Sequence, residues 1–435
     1  MRAPLLSSDA RQRIERLFRA RATRLIVAMS MLALHLLAMT IMGRERFGLP
    51  FNSAPASPPA FDNPAHQPVP ANWNRLLSSR WDSQHYISIA LRGFSFCPAR
   101  EELGPGRFPE SETCELNFYP GLALMGRMVR AIVPWPVDYV LFGICLLASL
   151  AFLYMWTSPP IVDALGLGGA YLSLFLYNVF TTGYELVTVQ TEPCALAFTL
   201  GSFLLLQRQR YFTGALMAGA ATGIRITAAA SGLAYAVALV TLTLMERTRK
   251  PTVLAWRALL CVTCMWGVLV MMGYYWYRFG DPLAYSHAHS RVYNHATNLF
   301  AIFNPKPQWI LTSIQAIPNE GVWLAGGLIW FALGHRAALR GFAPVCRAYW
   351  YALFAFAVAI PAAGQVELGF GGMTRYLLLA LPIFFAMAAV LKRRPEALAV
   401  WVVVSLVHYW NVNMCFYVGH SHPERLSKCY FTLVP

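Results

Sequence analysis

Arg80-Trp81-Asp82-Ser83-Gln84-His85-Tyr86 puts a carboxylate, an imidazole and two aromatic rings into one short polar stretch. If a helix begins near residue 79, Asp82, His85, Tyr86 and Ile89 share one face at i, i+3, i+4 and i+7. Two roles are open to Asp82. It can act as a general base towards a hydroxyl, or it can complement the dipole and cap the N–H groups of a first helical turn. Glu192, in Gln190-Thr191-Glu192-Pro193, opens an apolar run where Pro and Glu are equally what a first turn takes. Arg225, in Thr222-Gly223-Ile224-Arg225, divides two apolar runs. A guanidinium stays charged and forks bidentately, so Arg225 is either a phosphate-binding residue or half of an ion pair. Arg375, next to Tyr376, has the same two options, with Glu367 the nearest carboxylate in sequence. Arg278 begins Arg278-Phe279-Gly280-Asp281-Pro282-Leu283-Ala284-Tyr285, in which Gly-Asp-Pro signals a turn. His287 and His289 follow without a supporting carboxylate cluster, so no metal site is expected there. No glycine-rich nucleotide-phosphate loop occurs in the sequence.

The elements that position these residues are apolar helices. Of 435 residues, 57% are hydrophobic and only 13% are charged, and the mean hydropathy is +0.46. A soluble domain carries about a quarter charged residues, whereas here apolar runs of about 18 residues recur, each long enough to cross a bilayer. The net charge of +15 does not indicate nucleic acid, because the arginines sit in short segments between apolar runs, as the positive-inside rule requires.

Residues 1–24 form a basic, cytoplasmic N-terminus, and 25–42 the first transmembrane helix, too long for a signal peptide and without a cleavage site before Arg44. Residues 43–135 form a large non-cytoplasmic loop, irregular over 50–70 and rich there in Pro, Ala, Ser and Asn. After Pro120, Leu122, Met125, Val129 and Ile132 suit a short helix lying at the interface. Residues 136–418 make a bundle, with helices expected at 136–157, 164–181, 190–206, 211–224, 226–245, 253–277, 309–333, 348–364, 376–391 and 397–418, or about eleven spans in all. Residues 419–435 are a C-terminal tail. Alternating sides gathers the basic segments 207–210, 247–250, 336–347 and 392–394 with the N-terminus. The weak joint is 211–224, short for a span at about 1.5 Å per residue. Cys97 and Cys114, both in the large loop, are a disulfide candidate if that loop meets an oxidising compartment.

Trp81-Asp82-x-x-x-Tyr86-x-x-Ile89-Ala90-x-x-Gly93-Phe94, followed by Asn117-Phe118-Tyr119-Pro120, resembles the first luminal loop of GPI mannosyltransferase II (PIG-V-type) proteins and their bacterial relatives, which are GT-C fold glycosyltransferases. Gln190-Thr191-Glu192-Pro193 resembles the family's Tyr-Ser/Thr-Glu-Ser/Pro element, with Gln190 in place of the usual Tyr. Thr222-Gly223-Ile224-Arg225 resembles its Thr-Arg element, with two residues interposed. The segments beginning at Arg278 and at Arg375-Tyr376-Leu377-Leu378 resemble its Gly-Asp-Pro and Arg-Tyr-Leu elements. The similarity spans most of residues 80–390.

The resemblance implies an all-α, polytopic, GT-C-like enzyme that transfers a sugar, mannose in eukaryotic members, from a polyprenyl-phosphate donor to a hydroxyl acceptor with inversion. Asp82 would be the catalytic base. Arg225, Arg375 and Arg278 would bind the donor phosphate, and Trp81, His85, Tyr86 and Glu192 would position substrate. The scheme requires no metal and no cofactor. The acceptor, on a glycolipid, glycan or protein, is left open, and no partner subunit is legible. The absence of an Asn-x-Ser/Thr sequon and the Ala and Arg content lean towards a bacterial plasma membrane rather than the endoplasmic reticulum, with the site on the non-cytoplasmic face. The competing class is a secondary transporter or lipid-linked sugar flippase, which would show an internal repeat and helices broken at mid-membrane in both halves.

Overall fold

The computed structural model describes residues 8–47, 82–94, 115–116, 118–292, 318–365 and 373–418, and no strand occurs among them. Two helices precede the large loop, α1 (Ser8–Arg19) and α2 (Arg21–Phe47). Within the loop lie α3 (Ser83–Arg92) and α4 (Gly121–Arg130). The bundle begins with α5 (Val137–Trp156), α6 (Pro159–Leu165) and α7 (Leu167–Asn178). It continues with α8 (Glu192–Gln207), α9 (Tyr211–Ile224) and α10 (Ala229–Glu246), then α11 (Pro251–Thr263), α12 (Trp266–Phe279) and α13 (Ala284–Val292). The last helices are α14 (Pro318–Leu339), α15 (Pro344–Gln365), α16 (Met373–Leu377), α17 (Pro382–Leu391) and α18 (Pro395–Val418).

Among the described residues, four stretches are long and apolar enough to cross a membrane: Arg21–Ile41, Val137–Trp156, Ile226–Glu246 and Pro344–Ala362. The number rises to six if each of two bent helix pairs counts as one span. The expected count of about eleven is therefore not reached by these measures, because several apolar helices are short. At 14 residues, α9 rises only about 21 Å, against a hydrocarbon core of about 30 Å. Large apolar side chains lie exposed along the outer faces of α2, α12 and α18, among them Leu34, Leu37, Val270, Trp276, Val400 and Val403. Continuous apolar faces of this kind do not stand in water and are what lipid covers.

Three expected helices prove discontinuous. The span expected at 164–181 is α6 plus α7, bent by 107°. The break is Gly166, whose φ of +73° suits glycine and strains other residues. The span expected at 253–277 is α11 plus α12, bent by 61°. Here the bend lets Gly267 reach the backbone of Gly219 and Gly223 on α9, an approach any Cβ would block. The hydroxyl of Thr222 then accepts the otherwise unpaired Val268 N–H at 3.1 Å. The helix expected at 376–391 is α16 and α17, with Pro382 at the first position of α17, where its missing N–H costs nothing.

The connection between α7 and α8 holds only a 3₁₀ turn, Gly183–Val187, yet is buried from Phe180 to Thr191. Buried backbone needs partners, and small hydroxyls provide them, from neighbouring helices to the connection and, at Thr182, from the connection to α16. Ser83 Oγ donates to Val189 O at 2.8 Å and Ser149 Oγ to Leu186 O at 2.7 Å. Thr182 Oγ1 donates to Thr374 O at 3.1 Å. These bonds tie the N-terminus of α3, the middle of α5 and the start of α16 to one loop.

Candidate functional site

That loop carries the centre of the site. Asp82 immediately precedes α3 and makes no capping hydrogen bond with its side chain, so the capping role is not the one it plays. Its Oδ2 accepts Arg375 Nη1 at 2.7 Å. Arg375, from α16, is held on every side. Nη2 donates to Gln190 Oε1 at 2.6 Å and to Glu192 Oε2 at 3.1 Å. Nε is bonded to Glu192 Oε1 and lies 3.4 Å from Glu185 Oε1. Arg225 bonds the same Glu192 through Nη1, donates from Nε to Thr227 Oγ1 at 2.7 Å, and lies 4.9 Å from the centre of the Tyr376 ring.

The position of Arg225 follows from local packing. After Ile224 the chain turns extended at Arg225 and re-enters as a short 3₁₀ turn, Ile226–Ala228. Just before it, Gly223 lies so close to Gly121 at the start of α4 that a Cβ on Gly121 would fall on the Gly223 carbonyl. Glycine on both sides brings the large-loop helices directly onto the end of α9.

Exposure separates the three carboxylates. The side chains of Glu185 and Glu192 are 2% and 5% exposed, and that of Asp82 is 28% exposed. Asp82 is the one a substrate can reach. Glu185 lies in the connection between spans, and burial pushes its carboxyl up to about 8, with Glu192 and Asp82 adding repulsion and Arg375 opposing. Its Oε2 is buried with no hydrogen-bond partner among the described residues. With Glu185 neutral, Asp82 and Glu192 balance Arg225 and Arg375.

Beside the cluster is an apolar cavity of about 320 Å³. Thr227 and Tyr376, which contact Arg225, line it together with Tyr119, Tyr285, Leu283 and Pro361. Pro361 lies inside α15. Leu283 and Tyr285 are brought there by the Gly-Asp-Pro turn, in which Asp281 Oδ1 accepts the Leu283 N–H at 2.9 Å. Between cavity and cluster, Glu192, Arg225, Thr227, Arg375 and Tyr376 line a crevice of about 10 Å³, room for about one water.

Of the site residues expected from sequence, Asp82, Glu192, Arg225 and Arg375 meet in this cluster, with Tyr86 buried beneath Asp82 on α3 and His85 beside it. Arg278 is not brought in. It ends α12 with its guanidinium 5.5 Å from the Phe279 ring centre, and none of the cluster's bonds comes from it. His287 pairs with Asp281 at 2.7 Å. Trp81, Cys97, Cys114 and Glu367, and the tail 419–435, lie outside the described residues, as does the His289 side chain. Two members went unforeseen, Glu185 and Gln190. Gln190 stood in a quoted motif, but Glu185 is a lone carboxylate between apolar residues, with no spacing to mark it.

The arrangement offers one reachable carboxylate held by a guanidinium, a second guanidinium behind it, and an apolar chamber alongside. No family model matches the sequence, and no curated protein matches it. The fold and site define a helical protein with four to six candidate membrane spans among the described residues and an acid–arginine cluster.

Proposed function

We propose that this chain is an inverting glycosyltransferase that moves a sugar, most simply mannose, from a polyprenyl-phosphate donor to a hydroxyl acceptor at the non-cytoplasmic face of a membrane, a bacterial plasma membrane by the sequence criteria above. The observation that carries this is the Asp82–Arg375–Glu192–Arg225 chain of ion pairs set against the apolar cavity. The GT-C resemblance supplies the reaction, and the geometry is compatible with it on three counts.

Asp82 takes the proton of the acceptor hydroxyl as its oxygen attacks the anomeric carbon. The bond from that carbon to the donor phosphate breaks on the opposite side, and the electron pair leaves with the phosphate. The departing phosphate needs positive charge where its own charge grows, and Arg225, between Glu192 and the cavity-lining Tyr376, is the first guanidinium it meets. Arg375 follows by exchanging one of its carboxylate partners for a phosphate oxygen. The cavity takes the isoprene units next to the phosphate, and the rest of the chain lies in the bilayer. The arginines do here what a metal ion does for nucleotide sugars, so the scheme needs no metal.

Purified protein in nanodiscs, given labelled polyprenyl-phosphate mannose and a membrane glycolipid extract, is expected to transfer label to an acceptor. No transfer from any polyprenyl-phosphate sugar tried would sink the proposal. One observation favours a second reading, a transporter or flippase: the two bent helix pairs, since broken helices build transporter sites. Neither break carries a member of the charged cluster. Flux of a lipid-linked sugar across vesicles, undiminished in Asp82→Asn, would establish that alternative.

A further inference from the structure

Glu115 is a buried carboxylate that the mechanism above does not use. Its side chain is 2% exposed, and its backbone has φ +58°, a left-handed conformation that Glu adopts only where its surroundings impose it. A buried carboxylate needs a partner, and here it is His85, whose Nδ1 lies 3.4 Å from Glu115 Oε1. The imidazole is fixed from a second direction by Phe118, stacked on it at 3.9 Å between ring centres and 12° between planes. Phe118 is itself set by a turn in which its N–H donates to Glu115 O at 3.0 Å. The ring is thus held by a carboxylate at one edge and an aromatic face on one side, while 21% of the side chain is exposed. A structural tie alone would explain the burial of Glu115, but not why the partner is a half-open ring one turn from Asp82.

The tautomer follows from the pairing. A neutral imidazole that donates Nδ1–H to a carboxylate carries a bare lone pair on Nε2. His85 follows Asp82 by three residues at the start of α3. One turn of helix therefore presents two hydrogen-bond acceptors, the Asp82 carboxylate and His85 Nε2. Two acceptors one helical turn apart suit a ligand that offers two hydroxyl donors, as a sugar does and a lone serine or threonine side chain does not.

We propose that Glu115 is a positioning residue that fixes His85 so that Nε2 accepts a hydroxyl neighbouring the one Asp82 deprotonates, which makes the acceptor a sugar-bearing molecule. The proposal rests on the transferase reading for its substrate, but its structural half does not. The test has two arms. Histidine-labelled protein in nanodiscs, followed by nitrogen NMR at pH 8, is expected to show His85 protonated at Nδ1, and the proton shared between both nitrogens in Glu115→Leu. The same tautomer in both proteins overturns the positioning role.

In the second arm, labelled polyprenyl-phosphate mannose is the donor, and an alkyl mannoside and its singly deoxygenated derivatives are the acceptors. His85→Ala is expected to raise KM for the mannoside about 10-fold, the worth of one hydrogen bond. Loss of the neighbouring hydroxyl is expected to cost the wild type a similar factor and the variant nothing further. Glu115→Leu should match His85→Ala, and Glu115→Gln, which keeps an oxygen to accept Nδ1–H, should recover most of the affinity. Equal penalties for every deoxy derivative in wild type and His85→Ala overturn the hydroxyl contact. Absence of transfer by the wild type removes the transferase reading and the acceptor role with it, while the NMR arm still decides whether Glu115 orients the ring.

Discussion

Two of the buried polar networks in this bundle are built on opposite principles. The first joins α2, α7 and α18. His35 Nε2 meets Asn178 Oδ1 at 3.0 Å, His35 Nδ1 meets the Tyr409 hydroxyl at 3.0 Å, and Asn178 Nδ2 donates to Leu174 O at 2.8 Å. Because the amide nitrogen is spent on Leu174, its oxygen accepts His35 Nε2–H, and Nδ1 accepts from Tyr409. Both ring nitrogens of His35 are satisfied, and all three side chains are buried. The second network is charged and open. Arg375 contacts three carboxylates and an amide, yet Asp82 stays within reach of solvent and Glu185 keeps an orphan oxygen. A closed neutral network fastens helices. An open charged one leaves a group free to react, and it costs more to break.

The sharpest way to separate them is at Asp82. Asp82→Asn keeps the shape and, under the proposed mechanism, loses the base, so transfer should fall by about 10²–10⁴-fold. Stability should change by no more than about 1 kcal/mol, since this edge of the cluster is partly solvated. Label transfer and thermal unfolding in detergent measure the two sides. A large loss of stability with transfer intact would place Asp82 in the fastening class.

Arg375→Ala tests the cost of breaking the open network at its hub. It leaves the nearly fully buried Glu192 with Arg225 as its one remaining cation and takes away the guanidinium beside the equally buried Glu185. Removing one partner of a buried pair costs about 3–5 kcal/mol, so this variant should unfold well below wild type and lose transfer. Arg375→Lys keeps the charge but not the fork, and should fall between the two.

Glu185→Gln gives a pH signature that the neutral network lacks. The native carboxyl is held up to about 8, against the ordinary value of 4.5. A group raised in the folded state stabilises fully below its unfolded value, and that contribution is lost as pH rises through the folded one. Wild-type stability should therefore decline between about pH 4.5 and 8, by the equivalent of at most one proton. Glu185→Gln should flatten that slope. A slope that survives the substitution would assign it to another group.

How much of this was written in the sequence differs between the two networks. Glu192, Arg225 and Arg375 stand out because each interrupts or opens an apolar run, where a charge is costly and needs a reason, and Asp82 because it shares one short polar stretch with a histidine and two aromatic rings. The resemblance and the alternation of sides put them at one site, but their pairing was not legible, because it depends on the buried connection after α7 and on the close approach of Gly121, Gly223 and Gly267. Glu185 was hidden because its reason is a partner about 190 residues away, Arg375. The break at Gly166 had its glycine, but the one after Thr263 carries neither glycine nor proline and follows from tertiary packing on α9. His35 and Tyr409 sit within apolar helices, with no pattern joining residues that far apart.

Tyr409→Phe makes the smallest break and completes the contrast. It removes one hydroxyl and leaves His35 Nδ1 as a buried acceptor with nothing to accept. Leaving one neutral group unpaired costs about 1–3 kcal/mol, and ring packing against His35, 5.7 Å between centres, is retained. Thermal unfolding in detergent should register a loss in that range, with transfer unchanged at temperatures where the variant is folded. His35→Phe with Tyr409→Phe removes both partners and should recover part of the loss, since two apolar rings in the same space leave nothing unsatisfied. Recovery in the double variant is the signature of a network that only fastens. No pair of substitutions at Asp82 and Arg375 should restore transfer in the same way, because there the lost group is the one that reacts.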